Sequence, residues 1–338
     1  MLAVLLLSGC NRTSYETIYP TLSDGKYDSE FPYRNCSEQL EEIASSLVKI
    51  DVLVFYETFS FSIDDQLTLS QLRTTTKKVQ DLGGIRNIFT ESVGGTGITI
   101  YNENERVGFL SCAHLVEYPD TVINYFPYPD NEYIQVIGIK ARQSNNISTL
   151  QEGRDLKILA MDQEADIVFL GKEYSAADVN LQVFSYPVGE TRELEWGSFV
   201  YIMGYPLGHA MITRGIVSNP ERINKGSFLI DAVFNKGFSG GPVIAVRDGV
   251  PNFEMVGMVR SSAATRKFYL VPEDSENIPE MNFNEPYQGK LKLISENEIK
   301  YGITFSITTR SIRHFFDKNR KQLAEKGYSL EGFFMNND

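Results

Sequence analysis

The sequence predicts an all-β fold of the barrel or sandwich type, on three observations. Ten short apolar segments follow one another between turn signals, from "VGFLSCAHLV" through "SFVYIMGYP" and "GPVIAV" to "YGITFSI". Aromatic residues make up 12% of the chain, with 18 Tyr and 21 Phe, side chains that suit a pleated, half-buried surface. No regular alternation of strand and helix supports a parallel α/β sheet. At 338 residues there is room for one large or two ordinary domains, and 42% hydrophobic content supplies their cores.

The chain opens with "MLAVLLLSGC", residues 1–10, whose apolar core is too short to span a bilayer as a mature helix. Residues 11–40 are polar and rich in turn formers, which predicts a tether or loosely packed arm. A short helical pattern, "CSEQLEEIASSLVKI", overlaps its end, and the β-branched run "IDVLVFY" then predicts a strand. Residues 64–84 interrupt with polar, partly helical sequence before "GGTGITIY" begins the succession of strands. That succession divides into a first unit over 41–185 and a second over 186–310. Within the second, residues 265–300 are acidic and carry Pro and Asn, so a long excursion between the last strands is expected. Over 311–338, Ile312, Phe315, Phe316 and Leu323 fall at near-helical spacing and Gly327 suits a C-cap, predicting an amphipathic helix packed on the strands.

Composition excludes several classes of function. The formal charge is −12, from 32 basic and 44 acidic residues, and no basic patch is concentrated enough to hold a nucleic acid. Three cysteines, Cys10, Cys36 and Cys112, are too few for a disulfide framework or a four-cysteine zinc site. Cys112 reads as a buried thiol, with a bond to Cys36 left open. Three scattered histidines without a His-Glu-x-x-His run argue against a metalloenzyme. No Gly-x4-Gly-Lys-Ser/Thr loop is present, and the glycine-rich "GGTGITI" leads into a strand, which offers a phosphate no helix N-terminus. No metal and no cofactor are expected.

One stretch, "NKGFSGGPV", holds Ser239 between glycines, where backbone N–H groups can approach a substrate carbonyl closely. A serine hydroxyl needs a base to become a nucleophile, and histidine, with an ordinary pKa of about 6.5, is suited to the task. His209 lies in a Gly/Pro loop and His314 in the C-terminal helix, whereas His114 ends a strand in "FLSCAHLVE" beside the small Ala113. The base in turn needs an acid to hold it, and Asp166 heads the apolar strand of "ADIVFL", where a carboxylate is committed to a partner.

In order and context, His114, Asp166 and Ser239 resemble the trypsin-like serine proteases. The likeness to the HtrA/Deg branch extends to the turn "GYPLG" over 204–208 and the strand "GIVS" over 215–218. It also takes in Asp231 and Ala232, eight and seven residues before the serine, and Asn235. It covers roughly Val48 to Ile312, with insertions near 64–84 and 265–300. What it implies is two perpendicular six-stranded β-barrels with a C-terminal α-helix, acting on a protein or peptide substrate in the cleft between them. His114 and Asp166 would come from the first barrel and Ser239 from the second, with the N–H groups of Gly237 and Ser239 as oxyanion hole. Val233, Phe234 and Asn235 would line the S1 pocket. Val233 stands where a charge selects basic side chains in trypsin, so a small or medium apolar P1 residue is expected. Gly257, Met258 and Val259, in "VGMVR", resemble the edge that pairs with the substrate backbone. Activity is expected to fall as His114 takes up a proton. Separately, "LLSGC" resembles the lipobox of bacterial lipoproteins, which implies a lipid anchor at Cys10 and a place in the bacterial cell envelope, although no Lys or Arg precedes the apolar run.

Two departures qualify the resemblance. Phe238 stands where the family usually has Asp or Asn, so activation by a newly freed N-terminus is not predicted, and the loop is anchored by packing or waits for a peptide to order it. The PDZ domain common in HtrA/Deg proteins is not expected, since fewer than thirty residues follow Ile312, and chaperone function and cage assembly are not carried over. The alternative to an active endopeptidase is a lipoprotein of protease fold that binds or senses peptides with little or no catalysis.

Overall fold

The computed structural model describes residues 20–127, 129–147, 155–174, 181–220, 226–272 and 291–335. Its first seven strands are β1 (Leu47–Ser60), β2 (Ile85–Glu103), β3 (Arg106–Ser111), β4 (Thr121–Tyr125), β5 (Ile134–Ile147), β6 (Lys157–Asp162) and β7 (Ile167–Glu173). β1 shows why they form a sheet: Val48, Ile50, Val52, Val54 and Tyr56 are buried while the residues between them are only half-buried, the period of two that one packed face imposes. It pairs antiparallel with β2 on one side and β5 on the other, and the full order is β4-β5-β1-β2-β3-β7-β6.

This sheet is curled but not closed, and it has seven strands where a six-stranded barrel is implied by the resemblance. The reason lies in the length of β1, β2 and β5, whose far ends run past the main core. There β4 adds to β5, and Phe59, Phe61, Ile134 and Ile137 form a small separate core. Leu67, Leu72, Val79 and Leu82 of the segment after β1 cover it. That segment contains the expected helical piece, the short α-helix Leu69–Thr74, started by a capping box of Thr68 and Gln71.

The second half is a closed barrel. Its strands are β8 (Phe199–Gly204), β9 (Met211–Asn219), β10 (Ser227–Ala232), β11 (Pro242–Val246), β12 (Phe253–Pro272) and β13 (Leu291–Thr308), in the order β10-β13-β12-β11-β8-β9. The β9–β10 pairing closes the ring, so every strand has two neighbours within it. Residues 265–300 differ from the expected excursion. β12 and β13 continue as a two-stranded ribbon from Thr265 opposite Glu298 to Pro272 opposite Leu291, and residues 273–290 lie outside the described ones. The apolar residues in "KFYLV" and "LKLIS" stand at the two ends of an otherwise acidic segment.

The polar segment before α1 (Ser37–Ser45) is seated rather than loose from Leu22 onward. The Asp28 N–H donates to the Val246 carbonyl (2.9 Å), the Phe199 N–H donates to the Asp28 carbonyl (2.8 Å), and Leu22, Tyr27 and Cys36 are buried. At the other end the expected helix is present over Thr309–Glu325, capped by the Thr308 hydroxyl accepting from the Ser311 N–H. Its buried Phe315, Phe316 and Leu323 join the core of the first sheet, with Phe316 edge-on to Phe169 at 5.5 Å. Gly327, at φ +84°, ends it as expected. Among the described residues no helix is long and apolar enough to cross a membrane, and Cys10 lies outside them.

Candidate active site

Asp166 is the last residue of the turn between β6 and β7, held at φ +59°, a conformation that Asp tolerates better than most side chains. It is buried, and three donors converge on its carboxylate. The His114 backbone N–H reaches Oδ1 at 2.8 Å, the His114 Nδ1 reaches Oδ2 at 2.8 Å, and the Arg260 Nε–H reaches Oδ2 at 3.0 Å. Burial pushes the Asp166 carboxyl up, but the hydrogen bonds and charge of His114, with the Arg260 guanidinium, outweigh it and hold the group below the ordinary carboxylate range. His114 lies beyond the end of β3, on a single 3-10 turn over Ala113–Leu115. Ala113 and Leu115 are buried there while the imidazole is 41% exposed. With Nδ1 facing a carboxylate, the proton sits on Nδ1, and Nε2 is left as the acceptor.

Ser239 sits in the loop between β10 and β11. Gly237 has φ +113°, and a Cβ there would run into the Tyr205 carbonyl oxygen, so only glycine fits. The Lys236 carbonyl accepts from the Leu207 N–H at 3.4 Å, which turns the Gly237 N–H of the same trans peptide the opposite way. The N–H groups of Gly237 and Ser239 have no acceptor among the described residues. The Ser239 hydroxyl donates to the Arg260 carbonyl at 3.0 Å, and no hydrogen bond joins it to His114.

Thr96 of β2, fully buried, fastens this loop to the first sheet. Its N–H donates to the Ser239 carbonyl (2.8 Å) and its hydroxyl to the Gly237 carbonyl (2.6 Å), while the hydroxyl oxygen accepts from the Tyr205 N–H (3.0 Å). Phe238 is buried in the second-barrel core with its ring 6.5 Å from Phe234, so packing anchors the loop.

The other expected site residues divide. Val233 is 54% exposed at the surface of the same loop, Asn235 is half-buried, and Phe234 is committed to the core. Gly257, Met258 and Val259 are not an edge. They lie inside the closed barrel between β11 and β13, and Met258 and Val259 are fully buried. The Val259 N–H and carbonyl are taken by Gly241 and Gly240, so the side of β12 facing the loop becomes free only at Arg260. Cys36 and Cys112 are free buried thiols, and the bond left open between them is not formed. Donor atoms of Cys112, His114 and Asp166 lie within 4.8 Å of one another. They make a poor metal site: burial holds the thiol well above its ordinary pKa, and Asp166 is already shared. Arg260 and Thr96 had no signal of their own in the sequence. Both act through partners far away along the chain.

Residues 95–258, just under half of the chain, match the family model of the trypsin-like peptidase domain. No curated protein matches. The matched span contains His114, Asp166 and Ser239 and supports a hydrolase of the serine-protease type on a trypsin-like fold.

Proposed function

We propose that this chain, carrying a trypsin-like peptidase domain, is a serine endopeptidase that cleaves proteins or peptides through an acyl-enzyme. The observation that carries the proposal is the contact of the Asp166 carboxylate with His114 Nδ1: an acceptor-only group there calls for the proton on Nδ1 and leaves Nε2 as a base, while Arg260 touches both Asp166 and Ser239. The Ser239 Oγ attacks the scissile carbonyl carbon while its proton passes to His114 Nε2. The oxyanion is met by the N–H groups of Gly237 and Ser239, each such donor being worth on the order of 3 kcal/mol in the transition state. Collapse breaks the C–N bond, His114 returns the proton to the leaving amine, and water repeats the sequence on the ester. In this reaction the Ser239 hydroxyl gives up the Arg260 carbonyl and donates to Nε2 instead.

Substrate backbone pairs with the open side of β12 from Arg260 onward. Val233 and its neighbours favour a small or medium apolar P1 side chain. Its motifs resemble those of the HtrA/Deg branch, and the setting proposed is the bacterial cell envelope, with Cys10 as lipid anchor. A second reading, a peptide binder that cleaves little, draws on the Ser239 hydroxyl being donated to Arg260 rather than to His114.

Hydrolysis of unfolded casein and labelling by a fluorophosphonate decide between them. Wild type is expected to do both, and Ser239→Ala and His114→Ala to lose casein hydrolysis by at least a thousandfold. Wild type as inert as the two variants in both assays sinks the endopeptidase and leaves the binder.

A further inference from the structure

We infer that Arg260 is a positioning residue of the catalytic pair, its guanidinium fixing the Asp166 carboxylate and moderating that carboxylate's hold on the His114 proton. The inference rests on His114 being the base of the proposed reaction. Its foundation is a break in the strand register. Val259 faces Ser306 of β13 and Ser261 faces Phe305, so two steps along β12 answer one along β13 and Arg260 is the extra, unpaired residue of a β-bulge. A bulge re-aims the side chain it carries, and here both functional ends of one residue are turned to the site. The guanidinium Nε–H meets Asp166 Oδ2, and the carbonyl accepts the Ser239 hydroxyl, each at 3.0 Å.

The electrostatic consequence follows from which oxygen is shared. Oδ2 receives both the Arg260 Nε–H and the His114 Nδ1, so a permanent cation shares the very oxygen that stabilises the imidazolium. Asp166 is only 6% exposed, whereas Arg260 is 36% exposed, so water screens the pair from the Arg260 side alone. Three elements meet at the carboxylate. The turn after β3 brings His114 and the Cys112 thiol, which burial keeps neutral; the turn before β7 brings Asp166 itself; and β12 brings Arg260, whose carbonyl in turn holds the neutral Ser239 of the loop after β10. Among the groups acting on Asp166, Arg260 is the lasting positive charge, and it opposes a second one on His114. The arrangement keeps Nε2 unprotonated, and so able to accept from Ser239, to lower pH than Asp166 alone allows.

The test is the pH profile of kcat/KM on a peptide with a small apolar P1 residue, for wild type, Arg260→Gln and Arg260→Lys. Removing the cation in Arg260→Gln is expected to move the acid limb to higher pH by on the order of one unit. Lysine, which keeps the charge without the planar fork, returns the limb most of the way. Arg260→Met, which retains the apolar stem, serves if the Gln variant does not fold. In parallel, the His114 titration is followed by NMR in a Ser239→Ala background with and without Arg260→Gln or Arg260→Met, a measurement that needs no turnover. An upward shift of the His114 midpoint on loss of Arg260 supports the inference even if no substrate is ever cleaved, whereas coincident midpoints overturn it while leaving the endopeptidase standing. An acid limb that moves equally in the Lys and Gln variants also overturns it, because charge is then not the agent.

Discussion

At the scale of single residues, Thr96 shows how much one buried hydroxyl can govern. It bridges the first sheet to the carbonyls of Gly237 and Ser239 and to the Tyr205 N–H, the groups that set the course of the loop after β10. Replacing it by valine keeps the shape and removes the hydroxyl. Two buried backbone groups then lose their partner, at about 1–3 kcal/mol for each group left unsatisfied. Because those bonds orient N–H groups that act on the transition state and not on the bound substrate, Thr96→Val is expected to lower kcat about 10- to 100-fold with little change in KM. Thr96→Ser restores the hydroxyl and most of the rate. Steady-state kinetics of the two variants check this, and equal loss in both, or a loss carried by KM, contradicts it.

At the scale of elements, the loop that holds Ser239 exchanges a polar anchor for an apolar one. Phe238 is 1% exposed and sits with Phe234, Val200, Ile202 and Val243 in the core of the second barrel. The carboxylate usual in the family would be stranded there, so Phe238→Asp is expected to lower the melting temperature sharply and abolish fluorophosphonate labelling. Phe238→Leu, which leaves a smaller defect of about 1–2 kcal/mol, retains labelling. An Asp variant that melts with the wild type removes the argument. The same loop explains what could be read beforehand. His114, Asp166 and Ser239 each sit in a turn or loop that joins strands, and such places leave a local mark: a small residue before the histidine, an acid before an apolar run, glycines about the serine. Arg260 leaves none, because a bulge is a relation between β12 and β13 across some forty residues of sequence, and nothing within "VGMVR" says which of its residues stands out of register. For the same reason Gly257, Met258 and Val259 looked like an edge. Their pairing to β11 is a property of the closed ring and not of the segment itself. The ribbon within 265–300 is hidden differently, by acidic residues, Pro and Asn that weigh on composition although apolar residues cluster at its two ends.

At the scale of the whole molecule, the chain before α1 is part of the closed barrel's exterior, and its fit carries a charge problem. Asp28 is 6% exposed and accepts the Gly249 N–H at 3.1 Å, yet burial pushes its carboxyl up to about 6, against that hydrogen bond and with the help of Glu30, Asp248 and Asp24. A carboxyl whose pKa is higher folded than unfolded favours the folded state in its protonated form. Its contribution is therefore complete below the unfolded value of about 3.9 and is lost as pH rises through about 6. Asp166 works in the opposite sense, since its folded pKa is lowered and its contribution is lost as pH falls. The two carboxyls separate cleanly in a variant. Asp28→Asn removes a penalty of about 1–2 kcal/mol, after allowance for partial contact with solvent, but only where Asp28 is ionised. Thermal melts are thus expected to place Asp28→Asn a few degrees above wild type at pH 8, with the gap closing toward pH 4. Comparing variant with wild type at each pH cancels every other titrating group. A gap of the same size at both ends of the range would mean that Asp28 contributes through shape or hydrogen bonding, and that the seat of the chain before α1 is indifferent to its charge.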